Sequence, residues 1–485
     1  MLNWVLALAS AALLILTFPN FSITWFAPVA LTPLLVATAR EPRWTHRFLL
    51  GWGAGIVYWF GVCYWIQFVL AIHGGVGQAA GWALFLLFCL AKALHLAVFA
   101  LLAGPLMRRW WAVPSAAALW VAIEVTHGSL GFAWLALGNA GIDMALPMRL
   151  APYTGVYGLS FLFMTMSASL ALVCLRRPRV QLLWIAPVLL IALLPPLPPA
   201  ARGDQTALLV QPDFSENEDW TPQHLDRAKR EQVALSLRAA LAEPRNPPSL
   251  IVWPEVPAPF YYFDDEVFRG YVNGLARAAN AYVLAGIVAF TPGQAPLNSA
   301  VLVSPDAIAV SRYDKVNLVP FGEFVPWPFG ALAKKISTEV GDFIPGKRTV
   351  VSPIAGHKLG TFICYESVFP SFVRKFAAGG AELLVNISND GWFGHSAARE
   401  QHLNMVRMRA AENRRWLLRS TNDGITATVD SAGRLRGTLP KYIRATSYTG
   451  FTYTAGQTIY TRYGDWFPLL CAIWAVMGLV AERVL

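Results

Sequence analysis

Charged side chains are scarce in this chain. Lys, Arg, Asp and Glu make up only 14% of its 485 residues while 55% are hydrophobic, which excludes an ordinary soluble enzyme along the whole length. Acids are scarcest at the start: residues 1–200 hold ten Lys/Arg and three Asp/Glu, and so contribute most of the net charge of +10. Basic residues set among apolar runs are membrane topology signals, not a phosphate-binding face. No RNA- or DNA-binding motif is present, and no nucleic-acid partner is expected. Cysteine is nearly absent from the polar part. Cys63, Cys89, Cys174 and Cys471 lie in apolar stretches, where a small buried hydrophobe is the ordinary role. Cys364 stands alone in the polar region, which rules out an internal disulfide there and invites a catalytic reading. The eight His are scattered without ligand-like spacing, and no phosphate-cradling loop appears, so neither a metal nor another cofactor is expected.

Long apolar runs, in contrast, are abundant. Seven precede the polar region, near residues 3–18, 22–38, 48–71, 79–104, 110–136, 150–175 and 181–197, and an eighth covers about 465–481. Most reach the roughly 20 residues needed to cross a hydrocarbon core of about 30 Å. The first lacks a basic leader and runs directly into further spans, so it reads as a retained anchor. The loops after spans 2, 4 and 6 carry Arg40, Arg43, Arg47, Arg108, Arg109, Arg176, Arg177 and Arg179, whereas those after spans 1, 3 and 5 carry only Arg149. That asymmetry puts the N-terminus in the cytoplasm and the polar region outside. The Pro-rich segment 193–204 marks the join. The expected organisation is a seven-span unit over 1–198, an outer domain over 199–463 and a last span over 464–485.

The outer region alternates apolar strand-like runs with amphipathic helical stretches. Residues 207–211, 249–254, 282–290, 298–304, 358–364, 382–388 and 425–430 read as strands, and 221–242, 264–280, 367–378 and 395–414 as helices. Continuous apolar strands between helices predict an α/β fold with sheets covered on both faces.

Three phrases carry chemistry: SLIVWPE ending at Glu255, AVSRYDK ending at Lys315, and TFICYE with Cys364. Each polar group follows a strand, as in a site assembled at strand ends. Cys364 sits at a strand-to-helix turn, exposed as a nucleophile with backbone N–H groups nearby for an oxyanion. Glu255, partly desolvated behind a tryptophan and a proline, suits a general base. Lys315 beside a thiolate stabilises it and then the tetrahedral intermediate. Glu323 and Glu366 stand in apolar phrases and must hydrogen-bond something if buried, by orienting the lysine or the base, or simply as structural acids. In VNISNDGWFG, Asn386, Asn389 and Asp390 shape a loop near the site, and turn chemistry explains them equally well. Segments 324–336 and 257–263 are aromatic and poor in acid, as expected of loops dipping into a membrane interface, with domain packing the competing explanation.

The order Glu, Lys, Cys resembles the nitrilase (carbon–nitrogen hydrolase) superfamily. LVPFGEFVP and ICYE with WPE upstream, set between apolar spans, resemble more narrowly the apolipoprotein N-acyltransferase family of bacterial inner membranes. The resemblance implies an α-β-β-α sandwich seated on a membrane bundle, with the triad falling on Glu255, Lys315 and Cys364 and further essential positions on Glu323, Tyr365 and Glu366. Trp220 is the match for a family tryptophan, and Asn386 and Trp392 are candidates for substrate contact. The implied reaction moves an acyl chain from a phospholipid to Cys364, and then to the α-amino group of a diacylglyceryl-cysteine at the start of an apolipoprotein. The implied location is the inner membrane with the outer domain in the periplasm. A membrane-tethered amidase shares the acyl-enzyme and is the nearest rival. A transporter or lipid-binding scaffold is a third reading, against which the spans hold few charges, mainly Lys92 and Glu124.

Overall fold

The computed structural model describes residues 1–129, 131–215, 219–324 and 343–484. Its N-terminal third is a bundle of apolar helices. Among the described residues of the whole chain, three helices are long and apolar enough to cross a membrane: Gly77–Leu106, Val156–Cys174 and, near the C-terminus, Trp466–Val484. A fourth candidate, Trp44–Cys63 with Trp65–His73, is bent by 63°. Of the other stretches, 3–18 forms the helix Leu2–Thr17, and the rest form helices shorter than the apolar runs. Residues 22–38 divide into a 3-10 turn, Thr24–Phe26, and the helix Thr32–Arg40, since Pro28 and Pro33 interrupt a continuous ladder. The 110–136 stretch holds a helix only over Ala112–Glu124, followed by the single turn Thr126–Ser129. Arg179–Leu193 is a 15-residue 3-10 helix, and at a rise of about 2 Å per residue it extends roughly 30 Å. Gly51 lets two helices touch: a Cβ there would lie 2.3 Å from the Leu96 carbonyl oxygen. The C-terminal helix returns to the bundle, where Trp474 Nε1 donates to Ser115 Oγ at 3.2 Å.

The polar region folds into two six-stranded sheets. The first is built from β1 (Gln205–Gln211), β2 (Leu250–Val252), β3 (Tyr282–Phe290), β4 (Pro296–Val303) and β5 (Ala309–Asp314). The second holds β6 (Val351–Ile354), β7 (His357–Ile363), β8 (Leu383–Ser388), β9 (Trp416–Thr421), β10 (Ala427–Val429) and β11 (Leu435–Thr438). The last strand, β12 (Ala445–Phe451), returns to the first sheet. The orders are β12-β1-β2-β3-β4-β5 and β11-β10-β9-β8-β7-β6. In each sheet three central strands run parallel: β1, β2 and β3, and β7, β8 and β9. The sheets pack on each other, and helices Pro222–Ala242, Glu266–Ala279, Pro370–Ala378 and Ala398–Asn413 cover their outer faces. Alternation along a strand divides its side chains between the layers. Leu208, Val210 and Ile251 join the core under the helices, whereas Ala207, Leu209, Leu250 and Val252 join the core between the sheets. Both faces are buried, so the strands read as unbroken apolar runs.

The helix Ala398–Asn413 is the joint between sandwich and bundle. Its sequence is polar, yet nearly every residue is buried, among them Arg399, Gln401, His402, Arg407, Arg409, Glu412 and Asn413. The burial is compensated by partners across the joint. Gln401 Nε2 donates to the Pro19 and Val62 carbonyls at 2.6 and 3.1 Å, and its Oε1 accepts from Trp134 and Trp65 at 2.8 and 3.3 Å. Glu412 caps a bundle helix by accepting from Val156 N at 2.9 Å.

Candidate active site

Both sheets direct the ends of parallel strands at one place, the usual location of an α/β site. Glu255 follows β2 by three residues, Lys315 follows β5 directly, and Cys364 follows β7 directly. All three side chains are buried. Gly286 on β3 permits the close approach of the first, because a Cβ there would sit 2.2 Å from the Pro254 carbonyl oxygen and 2.8 Å from Glu255 Cα.

Lys315 is held between two carboxylates. Its Nζ lies 2.8 Å from Glu255 Oε1 and 2.8 Å from Glu323 Oε2. Asn298 bridges the same pair, with Nδ2 donating to Glu255 Oε1 at 2.8 Å and to Glu323 Oε1 at 2.6 Å. Backbone donors complete the acids: Asn389 N to Glu255 Oε2 at 2.9 Å, and Val319 N to Glu323 Oε2 at 2.8 Å. Burial alone would lower the lysine's pKa, but the two carboxylates outweigh it and hold the ammonium well above its ordinary value. Lys315 is therefore charged and fixed in place.

Cys364 opens a 3-10 turn, Cys364–Val368, with φ at +47°. A non-glycine residue in that region costs on the order of 1–3 kcal/mol and persists only where its surroundings hold it. Burial, reinforced by the Glu255 charge, pushes the thiol well above its usual range, and Lys315 only partly counters this. The sulfur thus rests as a thiol.

Glu366 ties the cysteine turn to the lysine loop. Its Oε2 accepts from Ile363 N at 2.7 Å, and its Oε1 from Tyr313 OH, Val316 N and Asn317 N at 2.6, 2.7 and 3.1 Å. Burial raises its pKa to about 7, against the pull of these four donors. Tyr365 turns the other way, and its OH donates to the Gly131 carbonyl of the bundle at 2.5 Å.

The remaining candidates lie further out. Asn386, fully buried in β8, spends its amide on the Phe362 carbonyl at 3.3 Å and on Arg419. Trp392 is half-buried against His73 of the bundle, with ring centroids 4.5 Å apart. Trp220 packs edge-on against Phe214 at 6.2 Å. Segment 257–263 is mostly domain packing: Phe260 stacks on Phe268 at 4.6 Å, Tyr262 OH donates to Asn273 at 2.8 Å, and only Phe263 and its neighbour Asp264 are exposed. Of segment 324–336, residues 325–336 lie outside the described residues. Sequence reasoning passed over Asn298, Ser388, His402 and Arg419. For Asn298, Ser388 and Arg419 the signal was a lone amide, hydroxyl or cation inside an otherwise apolar strand phrase, as in WLLRST; His402, on a polar helix, gave none. Among the described residues, no group of three or more His, Cys, Asp or Glu is arranged to hold a metal ion.

Comparison with known proteins agrees with this architecture. The carbon-nitrogen hydrolase family model matches residues 218–457, and the model of the apolipoprotein N-acyltransferase N-terminal domain matches 10–169. Curated relatives named apolipoprotein N-acyltransferase include one from Geobacter metallireducens, 33% identical over 99% of this chain and 95% of its own length. Others come from Azotobacter vinelandii, 33% identical over 99% and 96%, and from Pseudomonas putida, 31% identical over 99% and 97%. Among solved structures, an amidase from Nesterenkonia sp. AN1 gives a TM-score of 0.40 at 20% identity, covering 56% of this chain and 99% of that one. With helices, sandwich and full-length relatives in agreement, the chain belongs to the apolipoprotein N-acyltransferase family.

Proposed function

We propose that this protein transfers an acyl chain from a phospholipid to the free α-amino group of a lipoprotein's diacylglyceryl-cysteine, by way of a thioester on Cys364. The observation that carries the reading is the buried Glu255–Lys315–Glu323 clamp at the strand ends that also carry Cys364. In the first step Glu255 takes the thiol proton and the sulfur attacks the sn-1 ester carbonyl. Lys315 and turn N–H groups hold the oxyanion. The C–O bond breaks, and the proton held by Glu255 passes to the glycerol oxygen, releasing a lysophospholipid. In the second step the amine attacks the thioester, Glu255 accepts its proton, the C–S bond breaks, and Glu255 passes that proton to the leaving sulfur, which restores the thiol and the free carboxylate. The thioester stage means that donor and acceptor need not be bound together, and a dry site favours the amine over water. Glu323 and Glu366 orient the lysine and the two loops.

The arginine-rich loops support eight crossings, residues 1–198 and 464–485 forming the membrane unit. They also support an outer, periplasmic position for residues 199–463 in an inner membrane. Both substrates are lipid-anchored, and the joining of the site to the bundle through Tyr365 and Gly131 supports their access from the membrane.

The test uses the full-length protein in detergent. After incubation with phospholipid, the Cys364 peptide gains the mass of a long acyl chain. Adding a lipopeptide with a free α-amino group then moves that mass to the amine. Release as free fatty acid in the presence of the lipopeptide would instead identify a hydrolase.

A further inference from the structure

A closed set of buried polar groups stands behind the nucleophile and takes no part in the mechanism above. His402 is fully buried on the joint helix. Its Nε2 lies 3.1 Å from the Cys364 carbonyl oxygen and 2.7 Å from Ser367 Oγ. Its Nδ1 lies 3.2 Å from Arg419 NH2 and 3.2 Å from Asp390 Oδ1. Arg419 NH2 in turn donates to both Asp390 oxygens, at 2.9 and 2.7 Å, and Ser388 Oγ donates to Asp390 Oδ1 at 2.8 Å. The ring is walled by Trp134, stacked at 5.8 Å, and by Phe393, edge-on at 5.6 Å.

The Cys364 carbonyl oxygen only accepts, so its contact at 3.1 Å places a ring proton on Nε2. Nδ1 faces both Arg419 NH2, which only donates, and Asp390 Oδ1, which only accepts. Burial and the adjacent Arg419 charge lower the His402 pKa, which keeps the ring neutral. The target of that N–H is the carbonyl of the residue held at φ +47°.

We propose that His402 is the positioning residue of the nucleophile, gripping the Cys364 carbonyl so that the strained turn stays in its reactive shape. In a trans peptide the carbonyl and the next N–H point in opposite directions. Fixing Cys364 O on His402 therefore aims the Tyr365 N–H, the backbone donor adjacent to the sulfur, away from the ring and toward the oxyanion. Gln401, the preceding residue, bonds to the bundle at Pro19 and Val62. The membrane unit thereby fixes the helix that fixes the nucleophile, a role beyond anchoring.

The inference rests on the Cys364 thioester reading, and the test separates the two. Thioester formation is followed by mass in the full-length wild type, His402→Phe and His402→Gln, with the thermal midpoint of each recorded. Phenylalanine keeps the ring between Trp134 and Phe393 but removes both nitrogens. Glutamine restores an N–H near the Nε2 position. His402→Phe is expected to lower the rate constant by about 30-fold or more, toward the 10²–10³ lost with an oxyanion donor, at unchanged KM for phospholipid. His402→Gln is expected to recover most of that loss. A wild-type rate in His402→Phe, or a folded His402→Gln as slow as the phenylalanine variant, overturns the proposal. Should phenylalanine prevent folding, His402→Met supplies the donor-free comparison. Absence of thioester in the wild type sinks the underlying reading instead.

Discussion

Lys315 separates two buried acids that ordinary reasoning would keep apart, and the division of labour between them is testable residue by residue. Glu255→Gln preserves the shape but cannot take the Cys364 proton, and because the thiol rests protonated, no thioester should accumulate in the mass assay. Glu323→Gln and Glu366→Gln leave the base in place, so each should give a slower but detectable thioester; a normally acylated Glu255→Gln would move the base role to another carboxylate. Glu366 also sets a pH dependence. Its folded value of about 7 lies above that of a free glutamate, so the fold takes up this proton more readily than the unfolded chain. Stability from this group is complete in acid and is lost as pH rises through about 7. Activity runs the opposite way. Three of the four partners of Glu366 are backbone N–H groups that only donate, so a protonated carboxyl accepts from them more weakly and loosens the Lys315 loop. The thioester rate should therefore fall as pH drops through about 7 while the thermal midpoint does not, and Glu366→Gln should be slow and flat across that range. At this scale the sequence was legible in placing Glu255, Lys315 and Cys364 at the ends of strands. It was silent on His402, because a histidine on a polar helix looks solvated until the bundle that buries it is present.

Elements were legible in proportion to their burial. The runs that became β1, β3, β4, β7 and β8 are unbroken because both faces are covered. β6, β11 and β12 lie at sheet edges and carry polar residues, so no apolar run announced them; the phrase of β9 is interrupted by Arg419, whose partners lie in other elements. Apolar composition marks a stretch as membrane-compatible, but proline and the turn after Glu124 decide whether it is one helix. The short strand β2 depends on its neighbour, and Gly286→Ala tests this. The added methyl meets the Pro254 carbonyl oxygen at 2.2 Å, backbone against which no rotamer change helps. Overpacking of that kind costs about 1–3 kcal/mol. The variant should melt lower, and it should lose acylation more than tenfold, since about 1 Å of misplacement costs on the order of 10²-fold. Wild-type acylation in a folded Gly286→Ala protein would mean that the strand end tolerates displacement.

At the scale of the molecule, the polar helix Ala398–Asn413 makes sandwich and bundle one body, with Gln401 and Glu412 bonded to main-chain groups of the bundle and Tyr365 reaching Gly131. A domain joined so closely faces one side of the membrane only, and the loop arginines support the proposal that this is the outer side. Eight of them fall on the loops that the charge rule keeps in the cytoplasm, against Arg149 on the others. Arg149 itself is tied down, its NH1 donating to the Ala192 and Leu194 carbonyls at 2.9 and 3.0 Å where the chain leaves the bundle for the sandwich. An impermeant protease added to the outer face of spheroplasts should therefore cut within 199–463, and tags at either terminus should stay protected until the membrane is opened. Exposed loops such as 243–247 are the expected first sites, being solvent-facing and outside the strands and helices. Protection of the sandwich with cleavage of both tags would reverse the topology, and would separate Cys364 from any lipoprotein anchored in the outer leaflet.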